Sequence, residues 1–125
     1  MQTVGLTALV EKLKLKNLTP EVDMEGILIT TPNINRPALQ MAGYFDHFEP
    51  MRLQVMGNVE VSYLEKLSQA ERAITLDRFC SYKIPALLVT RYNPVDPICI
   101  EMAKKHNITI LRCHEATSTI VSAII

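Results

Sequence analysis

Apolar residues recur along this chain at two different periods, and the changes of period mark its elements. Leu9, Val10 and Leu13 share one helical face, with Thr7 placed to cap the helix and Val4 and Leu6 before it reading as a short strand. Leu15 to Leu18 alternates weakly up to Pro20, as an extended segment does. Gly26 opens Ile27-Leu28-Ile29-Thr30, which predicts a buried strand closed by Thr31-Pro32-Asn33.

The pattern becomes regular from residue 51. Leu53-Gln54-Val55-Met56 predicts a strand ended by Gly57-Asn58, and Val61, Leu64 and Leu67 mark a helix face. Ser68-Gln69-Ala70-Glu71 is a capping box that starts a second helix, with Ala73, Leu76, Phe79 and Cys80 inward. Ala86-Leu87-Leu88-Val89-Thr90 is apolar throughout, as strands buried on both faces of a parallel sheet are. Asp96-Pro97 supplies a cap and a first-position proline for a helix with Ile98, Cys99, Met102, Ala103 and His106 on one stripe. Lys104 and Lys105 suit its C-terminal end. Ile108-Thr109-Ile110-Leu111 predicts another strand, and Thr117 or Ser118 begins a last helix with Ile120, Val121 and Ile124 inward. Strands alternating with helices imply a parallel sheet with right-handed crossovers. The expected fold is α/β: a small three-layer domain with a mostly parallel sheet flanked by helices. Residues 1–125 read as a single domain, with a change of character near residue 50 that separates an N-terminal part from a regular βα part.

Within the N-terminal part lies a stretch of a different kind, residues 33–45, with Phe48 just beyond it. Pro37 suits the first turn of a short helix through Leu39, Met41 and Ala42, and Gly43 suits its stop. Tyr44, Phe45 and Phe48 follow in a loop, three of only seven aromatics in the chain. Core packing is the plainer expectation for these rings, wedged between the N-terminal strands and the parallel sheet. Arg36 has two open roles: anchoring a partner or ligand beside Tyr44 and Phe45, as interface hot spots favour, or holding an irregular loop through backbone carbonyls.

Composition narrows the function classes. At 125 residues, 48% apolar and 21% charged, the chain has the makings of an ordinary hydrophobic core. Thirteen basic residues balance thirteen acidic ones, so no net field draws nucleic acid or an anionic membrane, and neither is expected as a partner. Cys80, Cys99 and Cys113 are too widely spaced for a disulfide framework, which fits a reducing compartment. Met1 is followed by no basic patch and apolar core of a secretory signal, and no apolar run is long enough to span a bilayer. A cytoplasmic location is the expectation. The close on Val121-Ser122-Ala123-Ile124-Ile125 lacks the polar turn or glycine that ends most helices, so a continuation beyond Ile125 is expected.

Catalytic motifs are scarce. The four glycines, Gly5, Gly26, Gly43 and Gly57, allow neither a phosphate loop of the G-x-x-x-x-G-K-S/T kind nor G-x-G-x-x-G, and no serine sits in G-x-S-x-G. Cys113 and His114 are sequence neighbours at a strand end and should point apart, leaving a small buried thiol and a surface histidine. Three Cys and three His have no metal-ligand spacing, and no cofactor is expected on this chain. The better constellation is an anion rim. Ligands of parallel α/β sheets bind beyond the carboxyl ends of the strands, where helices begin. Here those ends bring Asn58, Arg91 and Arg112, expected to stand together; solvation or pairing with carboxylates is the plainer alternative for both arginines.

Asn33-Ile34-Asn35-Arg36-Pro37-Ala38-Leu39-Gln40-Met41-Ala42-Gly43-Tyr44-Phe45 resembles the signature of the N-terminal domain of HPr kinase/phosphorylase. Arg52-Leu53-Gln54-Val55-Met56-Gly57 with Ser62-Tyr63-Leu64, then Pro85 to Arg91, then Ile110-Leu111-Arg112 with Thr117-Ser118-Thr119, are similar to further pieces of that family in the same order. The resemblance implies a bifunctional enzyme that phosphorylates a serine of HPr, a phosphocarrier of bacterial sugar uptake, with ATP and magnesium, and removes that phosphate by phosphorolysis, setting carbon catabolite repression. It implies that the catalytic domain is absent from this chain, so no catalytic residue transfers onto it. It further implies a domain similar to the first domain of Mur ligases, in a parent that assembles as a hexamer. The expected role is a non-catalytic assembly or regulatory domain. The alternative is a free-standing sensor of a phosphorylated metabolite or nucleotide-like anion.

Overall fold

The structure is a computed structural model and describes residues 3–124; Met1 and Ile125, on which the expectations about the two ends rest, lie outside the described residues. In chain order the elements are β1 (Val4–Gly5), α1 (Leu6–Leu13), β2 (Lys16–Asn17), β3 (Leu28–Ile29), β4 (Ile34–Asn35), α2 (Ala38–Met41), β5 (Leu53–Met56), α3 (Asn58–Glu65), α4 (Gln69–Cys80), β6 (Leu87–Val89), α5 (Pro97–Lys105), β7 (Ile110–Arg112) and α6 (Thr117–Ile124). Five strands form the main sheet in the order β2-β7-β6-β5-β4, and β1 and β3 form a separate antiparallel pair. From β4 to β7 the pairing is parallel, with Gln54 opposite Leu87 and Leu88 opposite Leu111; β2 joins antiparallel with Lys16 opposite Arg112.

Alternation along the buried strands sorts the core into two layers. Met56, Leu87, Val89 and Ile110 meet Val61, Leu64, Leu76, Phe79, Cys99 and Ala103 from α3, α4 and α5. Leu53, Val55, Leu88 and Leu111 meet Leu6 and Leu9 of α1 and Ile120 and Ile124 of α6 on the other face. The result is the expected three-layer α/β arrangement. A side chain the size of Phe79, fully buried, contributes about 2–3 kcal/mol by removal of apolar surface from water.

Local chemistry accounts for the helix starts. The Ser68 Oγ accepts the Glu71 N–H at 3.1 Å while Glu71 accepts the Ser68 N–H at 2.9 Å, so both halves of the capping box are made. Asp96 caps α5 by accepting the Ile98 N–H at 2.8 Å, with Pro97 at the first position. Arg72 then ties this layer together: it donates to the carbonyls of Leu64 and Leu67 and pairs with Asp96, fastening the α3–α4 turn to the start of α5.

Several expectations are corrected. Thr7 does not cap α1: the cap residue is Gly5, without a side-chain bond, and Thr7 is exposed inside the helix. The run Ile27–Thr30 is not a fully buried strand, because β3 pairs only with β1, leaving Leu28 52% exposed while Ile29 is buried. Ile34–Asn35 is a strand that two residues were too few to announce. The aromatics do not wedge between the N-terminal strands and the sheet. Phe45 stacks on Tyr82 with centroids 4.7 Å apart, and Phe48 lies edge-on to Tyr82 and against Phe79, so this group belongs to the α4 side. Tyr44, at 48% exposure, is outside it.

Candidate functional site

The carboxyl ends of β5 and β6 carry the densest polar network. Its centre is Glu60, at the third position of α3 and 1% exposed. Arg36 precedes Pro37, which keeps its backbone extended as it leaves β4. Its guanidinium reaches Glu60 through two bonds, Nη2 to Oε1 at 2.7 Å and Nε to Oε2 at 3.1 Å. The same Oε1 accepts the N–H of Gly57 at 2.9 Å, so one carboxylate closes the start of α3 and holds the β4–α2 segment. Arg36 thus bonds a carboxylate where backbone carbonyls were expected, and its side chain, 40% exposed, is also open to the cleft, so both roles stand.

Gly57 permits this crowding. Its φ of −116° is open to any residue, but a Cβ there would stand 2.8 Å from the Arg36 Nη2 and 3.0 Å from the Thr117 hydroxyl. The Thr117 hydroxyl bonds that of Thr90 at 2.7 Å, and Thr90 donates to the Met56 carbonyl at 3.2 Å, joining the start of α6 to β5 and β6. Asn93 donates to the Asn58 side chain at 3.0 Å and to the Thr90 carbonyl at 2.9 Å. Behind Arg36, Asn35 donates to the side chains of Gln40 and Gln54, both buried.

In front of this network opens a cleft of about 660 Å³, lined by Ile34, Arg36, Asn58, Arg91, Thr117 and Ser118. The starts of α3 and α6 face it, and Arg91 has no ion-pair partner among the described residues. Two guanidinium groups, two hydroxyls and helix-start N–H groups make this cleft able to receive an oxyanion. Of the three residues expected on one rim, it brings together Asn58 and Arg91 and adds Arg36.

Arg112 fronts a different cleft, with Lys14, Lys16, Tyr92, His114 and Glu115. The separation follows from the turn after β6. Arg91 and Tyr92 both take left-handed conformations, φ 56° and 51°, and their N–H groups bond the carbonyls of Glu115 and Cys113 at 2.9 and 2.8 Å. Two consecutive non-glycine residues of this kind cost about 1–3 kcal/mol each. The turn sets Tyr92 over the guanidinium of Arg112 and leaves Arg91 on the other side.

Cys113 and His114 do point apart. Cys113 is buried, its thiol pushed up by burial, while His114 is exposed and stacked on Tyr92. Burial raises Cys80 to about 12 and raises Cys99 as well. None of the three thiols is set up as a nucleophile. Among the described residues no group of three or more His, Cys, Asp or Glu could hold a metal ion, and no helix is long and apolar enough to cross a membrane. The partners of Arg36 and Arg72 were not legible; the only local signal was Glu60 itself, three residues after Gly57, where a capping-box acid sits.

Comparison with known proteins gives a consistent answer. The family model described as HPr Serine kinase N terminus matches residues 4–125. The chain is 38% identical over 125 residues to an HPr kinase/phosphorylase of Lachnoclostridium phytofermentans, covering all of this chain and 40% of that protein. It is 38% identical over 125 residues to an HPr kinase/phosphorylase of Caldanaerobacter subterraneus subsp. tengcongensis, covering 41% of it. The chain thus spans about 40% of the length of these curated relatives. A solved structure of the CBS and DRTGG domains of the regulatory region of Clostridium perfringens pyrophosphatase, complexed with the activator diadenosine tetraphosphate, matches with a TM-score of 0.62 and 20% identity. That match covers 96% of this chain and 45% of the other, and it concerns the fold alone.

Proposed function

The chain belongs to the HPr serine kinase N-terminal family, and from that premise we propose that it is the non-catalytic assembly and regulatory domain of a bifunctional HPr serine kinase/phosphorylase in carbon catabolite repression. The observation that carries the proposal is the extent of the match: a full-length alignment of this chain to the first two-fifths or so of proteins bearing both activities in their name. In this proposal ATP, magnesium and HPr are handled by the remainder of such a protein, which assembles as a hexamer in the cytoplasm. The internal economy of the domain supports a non-catalytic role. Its buried carboxylate, Glu60, is committed to Arg36 and Gly57, and its thiols are shielded. A likeness to the first domain of Mur ligases belongs to the same proposal, and superposition on such a domain tests it.

The experiment is a chimera in which this chain replaces the matching residues of the Lachnoclostridium phytofermentans relative. Sedimentation and kinase assays compare it with the remainder of that relative alone. The chimera is expected to restore the concentration dependence of assembly and the effector response of the intact relative. A chimera indistinguishable from the remainder in both would refute an assembly and regulatory role.

A further inference from the structure

We infer that the cleft at the β2–β7 edge is a binding site for a nucleoside phosphate, with the phosphates on Lys14, Lys16 and Arg112 and the base on the outer face of His114. This goes beyond the assembly and regulatory role and does not depend on it. The starting observation is a pair of like charges. Lys16 and Arg112 are directly opposite in the antiparallel β2–β7 register, so their side chains leave the sheet on one face. Like charges so placed repel, and neither has an ion-pair partner among the described residues. Lys14, at the left-handed end of α1, brings a third cation to the same cleft. Against these three stands one lining carboxylate, Glu115, in a chain whose charges balance as a whole.

The guanidinium of Arg112 is positioned but poorly satisfied. It lies 3.7 Å from the centre of the Tyr92 ring and donates a single hydrogen bond, Nη2 to the Tyr92 carbonyl at 2.9 Å. Its Nε is buried with no partner among the described residues. A cation held over an aromatic ring, short of acceptors, is prepared for an anion that supplies them. On the ring itself, the imidazole of His114 lies parallel within 5° at 4.1 Å. A guanidinium and an imidazole this close cannot share one face of a phenol ring, so Tyr92 is sandwiched between them. Tyr92 covers one face of the His114 imidazole and the residue is exposed, so a planar base can extend the stack on the other face. The strained Arg91–Tyr92 turn, locked to the Cys113 and Glu115 carbonyls, fixes the ring in this position. The cleft measures about 450 Å³, within the range of small-ligand sites.

Titration of the 125-residue chain with ADP, inorganic pyrophosphate and adenosine, followed by calorimetry, tests the assignment. ADP is expected to bind more tightly than pyrophosphate, and pyrophosphate more tightly than adenosine. Lys14→Asn keeps a residue that tolerates the left-handed conformation, and Lys16→Gln changes an exposed position and relieves the repulsion with Arg112, so neither variant should melt below the parent. Each is expected to weaken ADP and pyrophosphate by about tenfold. His114→Ala should remove the advantage of ADP over pyrophosphate and leave pyrophosphate unchanged. Absence of binding at about 5 mM of any probe, equal affinity for ADP and pyrophosphate in the parent chain, or affinity insensitive to both lysine variants would overturn it. So would binding that is lost on Arg91→Gly and kept in both lysine variants, because it would lie in the other cleft.

Discussion

Arg36 and Glu60, 24 positions apart, meet through two hydrogen bonds in which the carboxylate is 1% exposed and the guanidinium side chain 40% exposed. The asymmetry decides how the pair responds to mutation. Arg36→Ala leaves a buried carboxylate with only the Gly57 N–H, whereas loss of Glu60 leaves an arginine that water can still reach. Breaking a fully buried pair costs about 3–5 kcal/mol, and the half-open arginine lowers the expectation for Arg36→Ala to about 2–4 kcal/mol. Arg36→Leu combined with Glu60→Met should recover only part of that loss, because it leaves the buried Gly57 N–H without its acceptor. Urea denaturation of the two variants measures it, and an unchanged midpoint for Arg36→Ala would show that the pair does not hold the β4–α2 segment.

Gly57→Ala tests the crowding rather than the dihedral. At φ −116° alanine fits the backbone, so the cost comes from displacing the Arg36 Nη2, 2.8 Å from the new methyl. A loss of about 1.5–3 kcal/mol is expected in the parent chain, the worth of a charge-assisted bond. In an Arg36→Ala background the same substitution should cost much less. A double-mutant cycle reads this coupling directly, and additivity of the two losses would contradict it.

The distinction between what sequence could and could not reveal follows from range. Ser68–Glu71 and Asp96–Pro97 are contacts within four residues, and their residue types alone identify them. The apolar β6 run likewise specifies burial on both faces of a sheet. Arg36–Glu60 and Arg72–Asp96 span 24 residues each and leave no local trace. The expected meeting of Arg91 and Arg112 was undone by one turn: Arg91 and Tyr92 adopt left-handed conformations without the glycine or asparagine that usually signals them, and the turn sends the two arginines to separate clefts. Family resemblance located the domain, but it carried no information on which side chains line either cleft.

The Ser68 cap should be separable from everything else. Ser68→Ala removes the acceptor for the Glu71 N–H and should cost about 1 kcal/mol. Ser68→Asp should recover it, because an aspartate both accepts the same bond and suits the positive end of the helix. Thermal melts of the two variants decide this; equal loss in both would mean that the cap does not limit α4.

Asp77 should make stability sensitive to acid. Its carboxyl is held below the ordinary value of 3.8, first by the hydrogen bond with His106 and then by that from Lys105 at the end of α5. A carboxylate lowered in the native state contributes stability that is fully present above its unfolded value and is lost as pH falls through its native one. The melting temperature of the parent chain should therefore exceed that of Asp77→Asn at about pH 7 and approach it below about pH 3. A gap that is constant across this window would show that the pair contributes nothing.

The thiols should be silent in the folded chain. Cys80 and Cys99 are buried with their thiols pushed up, and Cys113 is buried beside the Glu115 carbonyl. A thiol reagent at about pH 8 should label none of the three before unfolding and all three in denaturant. Rapid labelling of one thiol in the native state would identify a reactive cysteine and reopen nucleophilic chemistry.

Phosphate transfer is the most direct measure of the division of labour proposed for this domain. Radiolabelled phosphate from ATP, with magnesium, is followed onto the serine of HPr for three proteins: this chain alone, the remainder of the Lachnoclostridium phytofermentans relative, and the chimera of the two. No transfer is predicted for the chain alone, with comparable maximal rates for the remainder and the chimera. Transfer to HPr by the chain alone, or a remainder that is inactive until this chain supplies a catalytic group, would contradict the account.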